Sequence, residues 1–307
     1  MRYSRREILQ LYGLSGLGLA VGPSLFSFMQ NETMRERTIA SSRETLPIVG
    51  LGTWQTFDAK GDAAQLATLK QTLIETHKLG GSMIDSSPMY GSSETTVGQL
   101  TSALPSQNDF FYATKVWTSG KQAGIDQMNS SFRKMRRTKM DLMQIHNLVD
   151  WETHVKTLRD WQAEGKIRYW GFTHYMDSAH GTLEKIIRQE KPDFVQFNYS
   201  IRSRNAEKSL FNTCQKNGTA VIINQPYESG TLFQKIKGKS LPEWASEYDI
   251  NSWGQYFLKF ILSNETVTCV IPGTSKPKHA IDNMGAGYGK LPDTKGREKM
   301  AAYLRAL

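Results

Sequence analysis

Eight short apolar segments alternate with amphipathic stretches along the chain, and this alternation predicts an α/β fold built as a single (β/α)8 barrel, the TIM barrel. The length of 307 residues allows one such barrel or two ordinary domains. With 39% hydrophobic and 22% charged residues, the chain can build a sizeable core. The predicted strands cover residues 48–52, 82–85, 110–115, 141–146, 169–173, 194–197, 220–224 and 269–271.

Helical periodicity fills the stretches between these strands. Leucines recur on one stripe of residues 63–79, and residues 182–188 and 255–262 show the same kind of spacing. One long irregular connection, residues 225–250, is either a cover over a bound ligand or a surface excursion. In a barrel of this type the active site lies at the carboxyl ends of the strands, so polar residues there are the first candidates for function.

Four such residues stand at or just after predicted strand ends: Asp85, Tyr90, Lys115 and His146. A tyrosine hydroxyl has an ordinary pKa of about 10, and a neighbouring ammonium is expected to lower it. A lysine at the end of an apolar strand needs a charge partner, which an aspartate can supply. With an imidazole to orient a carbonyl oxygen, the four suit proton transfer to oxygen while hydride reaches carbon. The alternatives are a helix N-cap role for Asp85 and ordinary packing for Tyr90 and His146.

The same residues resemble the catalytic tetrad of the aldo-keto reductase superfamily, in which a strand ending in Asp is followed after four residues by Tyr-Gly. Here that run is Asp85-Ser86-Ser87-Pro88-Met89-Tyr90-Gly91. The resemblance implies that Tyr90 is the proton donor, that Lys115 and Asp85 tune it, and that His146 orients the carbonyl. It covers roughly residues 43–290 in the family's order, including Gly50–Trp54, Ala113–Lys115, Asp141–His146, Gly165–Arg168, Gly171–Thr173, Gln196–Tyr199 and Ile271–Thr274.

The resemblance also implies a nicotinamide cofactor, with Thr173, His174 and Gln196 near its carboxamide. The family usually has Ser-Asn where this chain has Thr173-His174. A tyrosine often stacks on the nicotinamide after the seventh strand, but Asn224 takes that position here and Tyr227 comes later. Asn224 is therefore included among the cofactor residues, with the stacking lost or supplied otherwise.

The turn after the eighth strand is expected to hold the adenosine 2′-phosphate. In the family this turn and the following helix N-terminus bind that group with a basic residue and a Ser or Thr, and helix N-termini favour phosphate. Lys276 and Lys278 can replace the usual basic positions, so NADP(H) is favoured over NAD(H); the alternative is two lysines on a solvated helix end. The predicted residues at this end are Gly273, Thr274, Ser275, Lys276, Lys278, His279 and the adenine-binding Asn283.

Apolar side chains after three strand ends predict the substrate pocket. Trp54, Met89 and Trp117 can form its wall, with Trp151 as a further candidate, or each can be ordinary core packing. No cluster of Arg or Lys marks an acidic substrate.

The remaining titratable residues give no sign of a metal site. Cys214 and Cys269 are expected to be buried free thiols, although one disulfide stays open, and no Cys/His spacing fits zinc. Three other histidines, His77, His154 and His180, are interpreted as helix-surface residues. The formal charge is +9, and a basic run at residues 133–139 is interpreted as a solvated helix end. No aromatic or Gly-rich reading element accompanies this run, so nucleic-acid binding is not expected.

Residues 1–42 are predicted to be an export signal and linker, and residues 43–307 the barrel. Arg5-Arg6 precede a weakly apolar, glycine-containing stretch at 11–28, which resembles a bacterial twin-arginine signal. This implies passage through the twin-arginine export machinery and a periplasmic location. The stretch is about long enough to span a bilayer, so tethering through an uncleaved signal stays open. Candidate cleavage sites lie before Ser41 and near Gly22. The alternative is an ordinary first helix in a cytoplasmic protein.

The predicted function is NADP(H)-dependent reduction of a small aldehyde or ketone to an alcohol, without a metal. A rival from another class is a cofactor-bound redox sensor or partner-binding protein on the same barrel. The unusual residues His174 and Asn224, and an export address where soluble NADPH is scarce, favour that rival. The complete tetrad argues against it, because a binding module needs no activated phenol. A third interpretation is a sugar-phosphate lyase or isomerase. Such an enzyme would need a phosphate site but would not need the Tyr–Lys–His set.

Overall fold

The computed structural model describes residues 33–307, in which a hairpin of two strands precedes eight parallel strands that curl into a barrel. Each barrel strand pairs with the next one in the sequence. All eight predicted strands are present, and the predicted TIM barrel is confirmed. The strands are β1 (Glu36–Thr38), β2 (Thr45–Pro47), β3 (Leu51–Gly52), β4 (Met83–Asp85), β5 (Phe111–Val116), β6 (Met140–His146), β7 (Ile167–Thr173), β8 (Phe194–Asn198), β9 (Ala220–Asn224) and β10 (Val267–Val270).

Helices follow the strands and cover the outside of the barrel. The three stretches with helical periodicity fall in the first, fifth and eighth helices, as predicted. The irregular connection 225–250 holds one short α-helix and two 3-10 helices. The α-helices are α1 (Ala63–Lys78), α2 (Ser93–Thr101), α3 (Lys121–Lys134), α4 (Trp151–Ala163), α5 (His180–Glu190), α6 (Leu210–Asn217), α7 (Thr231–Lys235), α8 (Trp253–Leu262), α9 (Pro277–Gly285) and α10 (Thr294–Ala306).

Apolar side chains fill the amino-terminal end of the barrel interior. Phe111, Tyr169 and Phe194 form an aromatic group with ring centroids 5.4 to 6.0 Å apart. Ile39 and Leu46 from the hairpin region join this cluster from below. Burying a side chain of this size contributes about 1.5–3 kcal/mol to stability. The other members are Met83, Ala113, Leu142, Ala220, Ile222, Cys269 and Ile271.

The barrel closes between β3 and β10. Two isolated parallel bridges, Val49 with Val270 and Gly52 with Gly273, connect these edges. A Cβ atom on Gly52 would lie 2.7 Å from the carbonyl oxygen of Ile271. Glycine is therefore required here, because any larger residue would push the two edges apart.

The β1–β2 hairpin is joined to the amino-terminal end of the barrel. The guanidinium of Arg37 in β1 donates to three carbonyl oxygens between the end of α8 and the start of β10, those of Leu262, Asn264 and Val267. This guanidinium is largely buried and satisfies carbonyls that helix and strand geometry leave without partners.

The expected boundary at residue 43 needs a correction. It falls between β1 and β2, so residues 33–42 belong to the barrel unit rather than to a linker. A three-residue strand is too short to show period-two alternation, so no sequence pattern predicted it. Cleavage before Ser41 would remove β1. The predicted twin-arginine segment at residues 1–28 lies outside the described part of the chain. Within residues 33–307, no helix is both long enough and apolar enough to cross a membrane.

Two histidines interpreted as surface residues are buried instead. His154 is 0% exposed and His180 is 3% exposed. His154 Nε2 lies 2.7 Å from the Thr118 carbonyl oxygen. The His180 ring lies between the side chains of Asn198 and Asn205, at 3.1 and 3.0 Å. Both residues occupy the inner faces of their helices, and a polar residue there breaks the apolar pattern that marks an inner face.

The basic run at residues 133–139 is held by contacts within the chain. Lys134 lies 3.8 Å from the buried Glu94 carboxylate. Arg136 donates to the Ser102 hydroxyl (2.8 Å). The Arg137 guanidinium lies 4.6 Å from the centroid of the Tyr112 ring. These contacts anchor the end of α3 to its neighbours, so the run serves packing as well as solvation.

The described residues contain neither a disulfide nor a cluster of side chains that could bind a metal. Cys214 and Cys269 are buried free thiols, and burial raises both pKa values well above the ordinary range. No group of three or more His, Cys, Asp or Glu side chains within residues 33–307 is arranged to hold a metal ion.

Candidate active site

Asp85 and Lys115 form a buried ion pair at the carboxyl ends of β4 and β5. Lys115 Nζ donates to Asp85 Oδ2 (2.6 Å) and to the Ser86 carbonyl oxygen (2.7 Å). Burial disfavours the ammonium, but the attraction of Asp85 and of Tyr90 outweighs it and raises the pKa of Lys115 above its ordinary value. Lys115 therefore carries its charge although its side chain is 0% exposed.

Two glutamine amides complete the surroundings of the Asp85 carboxylate. Gln144 Nε2 from β6 (3.1 Å) and Gln196 Nε2 from β8 (3.0 Å) both donate to Oδ1. With Lys115 on the other oxygen, the buried anion has three donors. Sequence reasoning missed Gln144, although a signal was present: it occupies an inward-facing position two residues before His146 in a strand that is otherwise mostly apolar.

Tyr90 lies half-buried over this ion pair. Lys115 Nζ is 5.0 Å from the centroid of its ring, and the His146 ring meets it edge-on at 5.7 Å. Burial raises the pKa of Tyr90 above 10, and the charge of Lys115 opposes this without reversing it. Lys115 thus lowers the pKa of Tyr90 as expected, but the net pKa stays above the ordinary value because desolvation is the larger effect.

The turn after β4 fixes where Tyr90 stands. Its backbone N–H donates to the Ser87 carbonyl oxygen (3.0 Å). On the far side, the Asp58 carboxylate accepts from the N–H (2.9 Å) and hydroxyl (2.8 Å) of Ser92. Gly91 has a φ of 61°, and a Cβ there would lie 2.6 Å from the Asp58 carboxylate. Glycine after Tyr90 thus lets the two loops meet, a constraint that sequence spacing did not reveal.

His146 lies at the end of β6 and is 5% exposed. Its Nδ1 is 3.0 Å from the Ser87 hydroxyl oxygen. Burial, followed by the positive charge of Lys115 and by His174, lowers the pKa of His146 to about 2. The imidazole is therefore neutral at physiological pH and acts through one N–H rather than as a cation.

Thr173, Gln196 and Asn224 form a hydrogen-bonded group at the ends of β7, β8 and β9. Thr173 Oγ1 donates to Gln196 Oε1 (2.9 Å), and Asn224 Nδ2 approaches the same oxygen at 3.4 Å. Asn224 Nδ2 also donates to the His174 carbonyl oxygen (3.1 Å). Asn224 Oδ1 is buried and finds no partner among residues 33–307. A free acceptor beside the tetrad fits a ligand that carries an amide N–H, as a nicotinamide carboxamide does.

The His174 side chain folds back on its own backbone. Its Nδ1 accepts from the N–H groups of Tyr175 (3.0 Å) and Met176 (3.2 Å). Nδ1 is thus an acceptor, which leaves the proton on Nε2. Burial, with the nearby His180 as a smaller cause, lowers the pKa of His174. The histidine that replaces the family's usual asparagine is therefore also a neutral donor.

The predicted phosphate end lies at the N-terminus of α9. The helix begins after Lys276, with Pro277 at its first position, and Lys276, Lys278 and His279 are exposed there. Two ammonium groups at a helix N-terminus fit a phosphate. The Thr274 hydroxyl accepts from the Lys276 N–H (3.1 Å) and so shapes the turn. Of the other turn residues, Gly273 is exposed and Ser275 is half-buried.

Asn283 and Tyr227 meet further along the same helix. The Tyr227 hydroxyl donates to Asn283 Oδ1 (2.6 Å), and its ring packs against Phe233 and Phe257. Tyr227 is therefore held against α9. Together with the free Asn224 oxygen and the two lysines, this arrangement fits a dinucleotide lying across the ends of the strands.

Exposed apolar side chains rim the mouth of the barrel. Trp54, Met89 and Trp117 are 44%, 39% and 41% exposed, and the Trp117 ring is 6.4 Å from the His146 ring. These predicted pocket residues are not core packing. Tyr175 and Met176, each 47% exposed, extend the rim after β7. Sequence analysis missed them, although they directly follow Thr173-His174. Only the further candidate Trp151 lies elsewhere, edge-on to the buried Phe172 at 6.0 Å.

Known proteins share this sequence pattern and fold. Methylglyoxal reductase YeaE of Escherichia coli is 28% identical over 259 residues, which cover 81% of this chain and 89% of that protein. The NADH-specific methylglyoxal reductase of the same organism is 27% identical, over 68% of this chain and 72% of the relative. Among solved structures, an aldo-keto reductase of Klebsiella pneumoniae in complex with NADPH has a TM-score of 0.72 at 24% identity, covering 88% of this chain and 96% of that one.

The family assignment rests on the length of the match as well as on the site. The model of the Aldo/keto reductase family matches residues 48–298, which is most of the chain and includes every strand of the barrel. The matched range contains Asp85, Tyr90, Lys115 and His146. The chain therefore belongs to the Aldo/keto reductase family and is an NAD(P)H-dependent oxidoreductase.

Proposed function

We propose that this protein reduces small aldehydes or ketones to alcohols with NADPH, and that Tyr90 supplies the proton. The observation that carries the proposal is the position of Lys115, which pairs with Asp85 and lies 5.0 Å from the Tyr90 ring centroid at the barrel mouth. A bound nicotinamide supplies a hydride to the carbonyl carbon. The residues of the chain act on the carbonyl oxygen.

Tyr90 gives up its hydroxyl proton as the alcohol O–H bond forms. The phenolate that remains lies beside the Lys115 ammonium, whose charge is fixed in place by Asp85 before the reaction starts. Solvent at the open mouth then returns a proton to Tyr90. The high pKa of the free phenol keeps the acid protonated, while Lys115 stabilises the anion only as it develops.

His146 orients the carbonyl. Its ring meets Tyr90 edge-on, so its outward N–H and the phenol can approach the same oxygen. A neutral N–H donor polarises the carbonyl without competing to transfer a proton, because the pKa of the imidazole is far too low for it to be a cation. Holding the carbonyl in one orientation is itself a large part of the rate gain.

NADP(H) is the proposed cofactor in preference to NAD(H). The N-terminus of α9 with Lys276 and Lys278 supports binding of an additional phosphate. Structures of aldo-keto reductases with the same fold contain NADP or NADPH. A relative at 27% identity is an NADH-specific enzyme, so the test compares both cofactors directly.

The proposed substrates are small carbonyl compounds with an apolar portion. The rim of Trp54, Met89 and Trp117 offers apolar contact around the polar tetrad. Two relatives are methylglyoxal reductases, and methylglyoxal therefore belongs first in the substrate panel.

The deciding experiment is cofactor oxidation by the full chain with a panel of aldehydes and ketones. Wild-type protein is expected to turn over, with a higher kcat/KM for NADPH than for NADH. Tyr90→Phe is expected to lower kcat by about 10²–10⁴-fold while NADPH still binds. Tyr112→Phe is the matched control, because that hydroxyl donates to the Gln107 carbonyl (2.7 Å) on the helix side of β5.

Three other outcomes overturn parts of the proposal. Turnover unchanged in Tyr90→Phe would remove the tyrosine from the proton transfer. Preference for NADH would reject the phosphate assignment at Lys276 and Lys278. NADPH binding without turnover on any substrate would favour the rival interpretation, a cofactor-bound sensor on the same barrel.

We also propose that the protein is exported to the periplasm through the twin-arginine machinery. Arg5-Arg6 and the glycine-containing apolar stretch behind them support this. In a bacterial host, the full chain is expected in the periplasmic fraction, and an Arg5→Lys/Arg6→Lys double variant is expected to stay in the cytoplasm. A wild-type chain found only in the cytoplasm would reject the proposal.

A further inference from the structure

We propose that Ser87 is a positioning residue that holds His146 in the tautomer with its proton on Nε2. This rests on the proposed function, in which His146 donates to the carbonyl oxygen. Ser87 is the second residue after the strand-ending Asp85, is 0% exposed, and places its hydroxyl oxygen 3.0 Å from His146 Nδ1. None of the motifs that identify the tetrad assigns it a role.

The direction of this hydrogen bond follows from the partners available to the Ser87 hydroxyl. The Met89 N–H donates to Ser87 Oγ at 3.3 Å, so the oxygen already accepts one hydrogen bond. A serine hydroxyl has one proton to donate. Within residues 33–307, His146 Nδ1 is the one acceptor in reach of that proton. A buried hydroxyl keeps a partner for its proton, so Ser87 donates and Nδ1 accepts.

The tautomer of His146 follows from that direction. A neutral imidazole that accepts at Nδ1 carries its proton on Nε2. Lys115 helps to keep the ring neutral, since its positive charge disfavours a second proton. The Nε2–H then faces the mouth beside Tyr90. The opposite tautomer would turn a lone pair toward the carbonyl oxygen, which would repel the substrate instead of orienting it.

Ser87 also touches the proton donor. Its carbonyl oxygen accepts from the Tyr90 N–H at 3.0 Å. One residue thus connects the loop that carries Tyr90 to the ring of His146 on a different strand. A change in its side chain removes the hydroxyl contacts to His146 and to the Met89 N–H. The contact to Tyr90 remains, because the backbone makes it.

The test combines kinetics with nitrogen NMR of the full chain. Ser87→Ala is compared with Ser93→Ala, which removes another fully buried serine hydroxyl, one whose partner is Ser86 rather than His146. The ¹⁵N shifts of the His146 ring, assigned with His146→Asn, report its tautomer without any substrate. We expect only the Nε2–H form in the wild type and in Ser93→Ala, and a mixture of tautomers in Ser87→Ala. The kcat of Ser87→Ala should fall by about tenfold, with little change in NADPH affinity.

The readouts separate this proposal from the reductase proposal. An Nδ1–H tautomer in the wild type overturns the role of Ser87, and so does an unchanged tautomer in Ser87→Ala, whatever happens to kcat. A mixture of tautomers with unchanged kcat also rejects the positioning role. A wild type without carbonyl turnover defeats the proposed function, while the NMR still shows whether Ser87 sets the tautomer. Partial recovery of the Nε2–H form in Ser87→Cys, which keeps a weak donor, would support the hydrogen bond itself.

Discussion

The two ends of the barrel interior are built from the same strands but carry different kinds of side chain. At the amino-terminal end, Phe111, Tyr169 and Phe194 belong to a cluster of buried hydrophobic residues. At the carboxyl end, Lys115 and Asp85 lie buried in a polar network. The change takes place within single strands, over one step of two residues: from Met83 to Asp85, Ala113 to Lys115, Leu142 to Gln144, Phe194 to Gln196 and Ile222 to Asn224.

Along the barrel axis, one end therefore stabilises the fold and the other end carries the polar residues of the candidate active site. The apolar end stabilises the barrel by removing surface from water and does not depend on any one partner. The polar end is stable only while each charge and amide keeps its partner, because an unpaired buried charge is costly. Mutations at the two ends should therefore fail in different ways, and this is how the comparison can be tested.

The largest effect is expected at the ion pair. Lys115→Met leaves the Asp85 carboxylate buried with only the amides of Gln144 and Gln196. Breaking a buried pair in this way costs about 3–5 kcal/mol of unfolding free energy. The variant also loses the charge that stabilises the Tyr90 phenolate, so kcat should fall by about 100-fold or more. Denaturant unfolding and steady-state kinetics measure the two losses.

A double variant sharpens this result. Asp85→Leu/Lys115→Met removes both charges, and replacing a whole buried pair with apolar residues is often neutral for stability. It should regain part of the lost stability but none of the activity. Full stability in Lys115→Met alone would show that the pair contributes nothing to folding and would contradict the comparison.

The next effect is confined to stability. Phe194→Ala opens a cavity beside Phe111 and Tyr169 and should cost about 3–5 kcal/mol. Its kcat, measured at a temperature where the variant is folded, should stay within about twofold of wild type, since the ring touches no polar residue of the site. A loss of kcat as large as that of Lys115→Met would show that the two ends are coupled.

The alternating strands and helices of the barrel were predictable from the sequence. Eight apolar runs fixed the barrel, and a barrel brings strand ends to one face. Asp85, Lys115 and His146 therefore had to lie near one another. The β1 strand was not predictable, because three residues are too few to show period-two alternation. The inward positions of His154 and His180 depend on how their helices pack, which the adjacent residues in the sequence do not reveal.

The chemistry within the site was only partly predictable. Residue types suggested that Lys115 would act on Tyr90, and it does. The net direction of the Tyr90 pKa depends on how much water reaches the hydroxyl, which no spacing reveals. The contributions of Gln144 and Ser87 arise between strands, from hydrogen bonds whose partners are 59 residues away in each case.

The smallest expected effect is the shape of the pH profile, and it tests whether the polar end keeps its groups in single protonation states. Because the pKa of Tyr90 is raised above 10 and that of His146 is lowered to about 2, neither group titrates between pH 6 and 9. The kcat for carbonyl reduction should be flat over that range and fall above it, where the acid is lost. For alcohol oxidation, which needs the phenolate as base, kcat should rise with pH instead. A reduction rate that falls near pH 7, at saturating cofactor, would mean that Lys115 overcomes burial once the cofactor is bound.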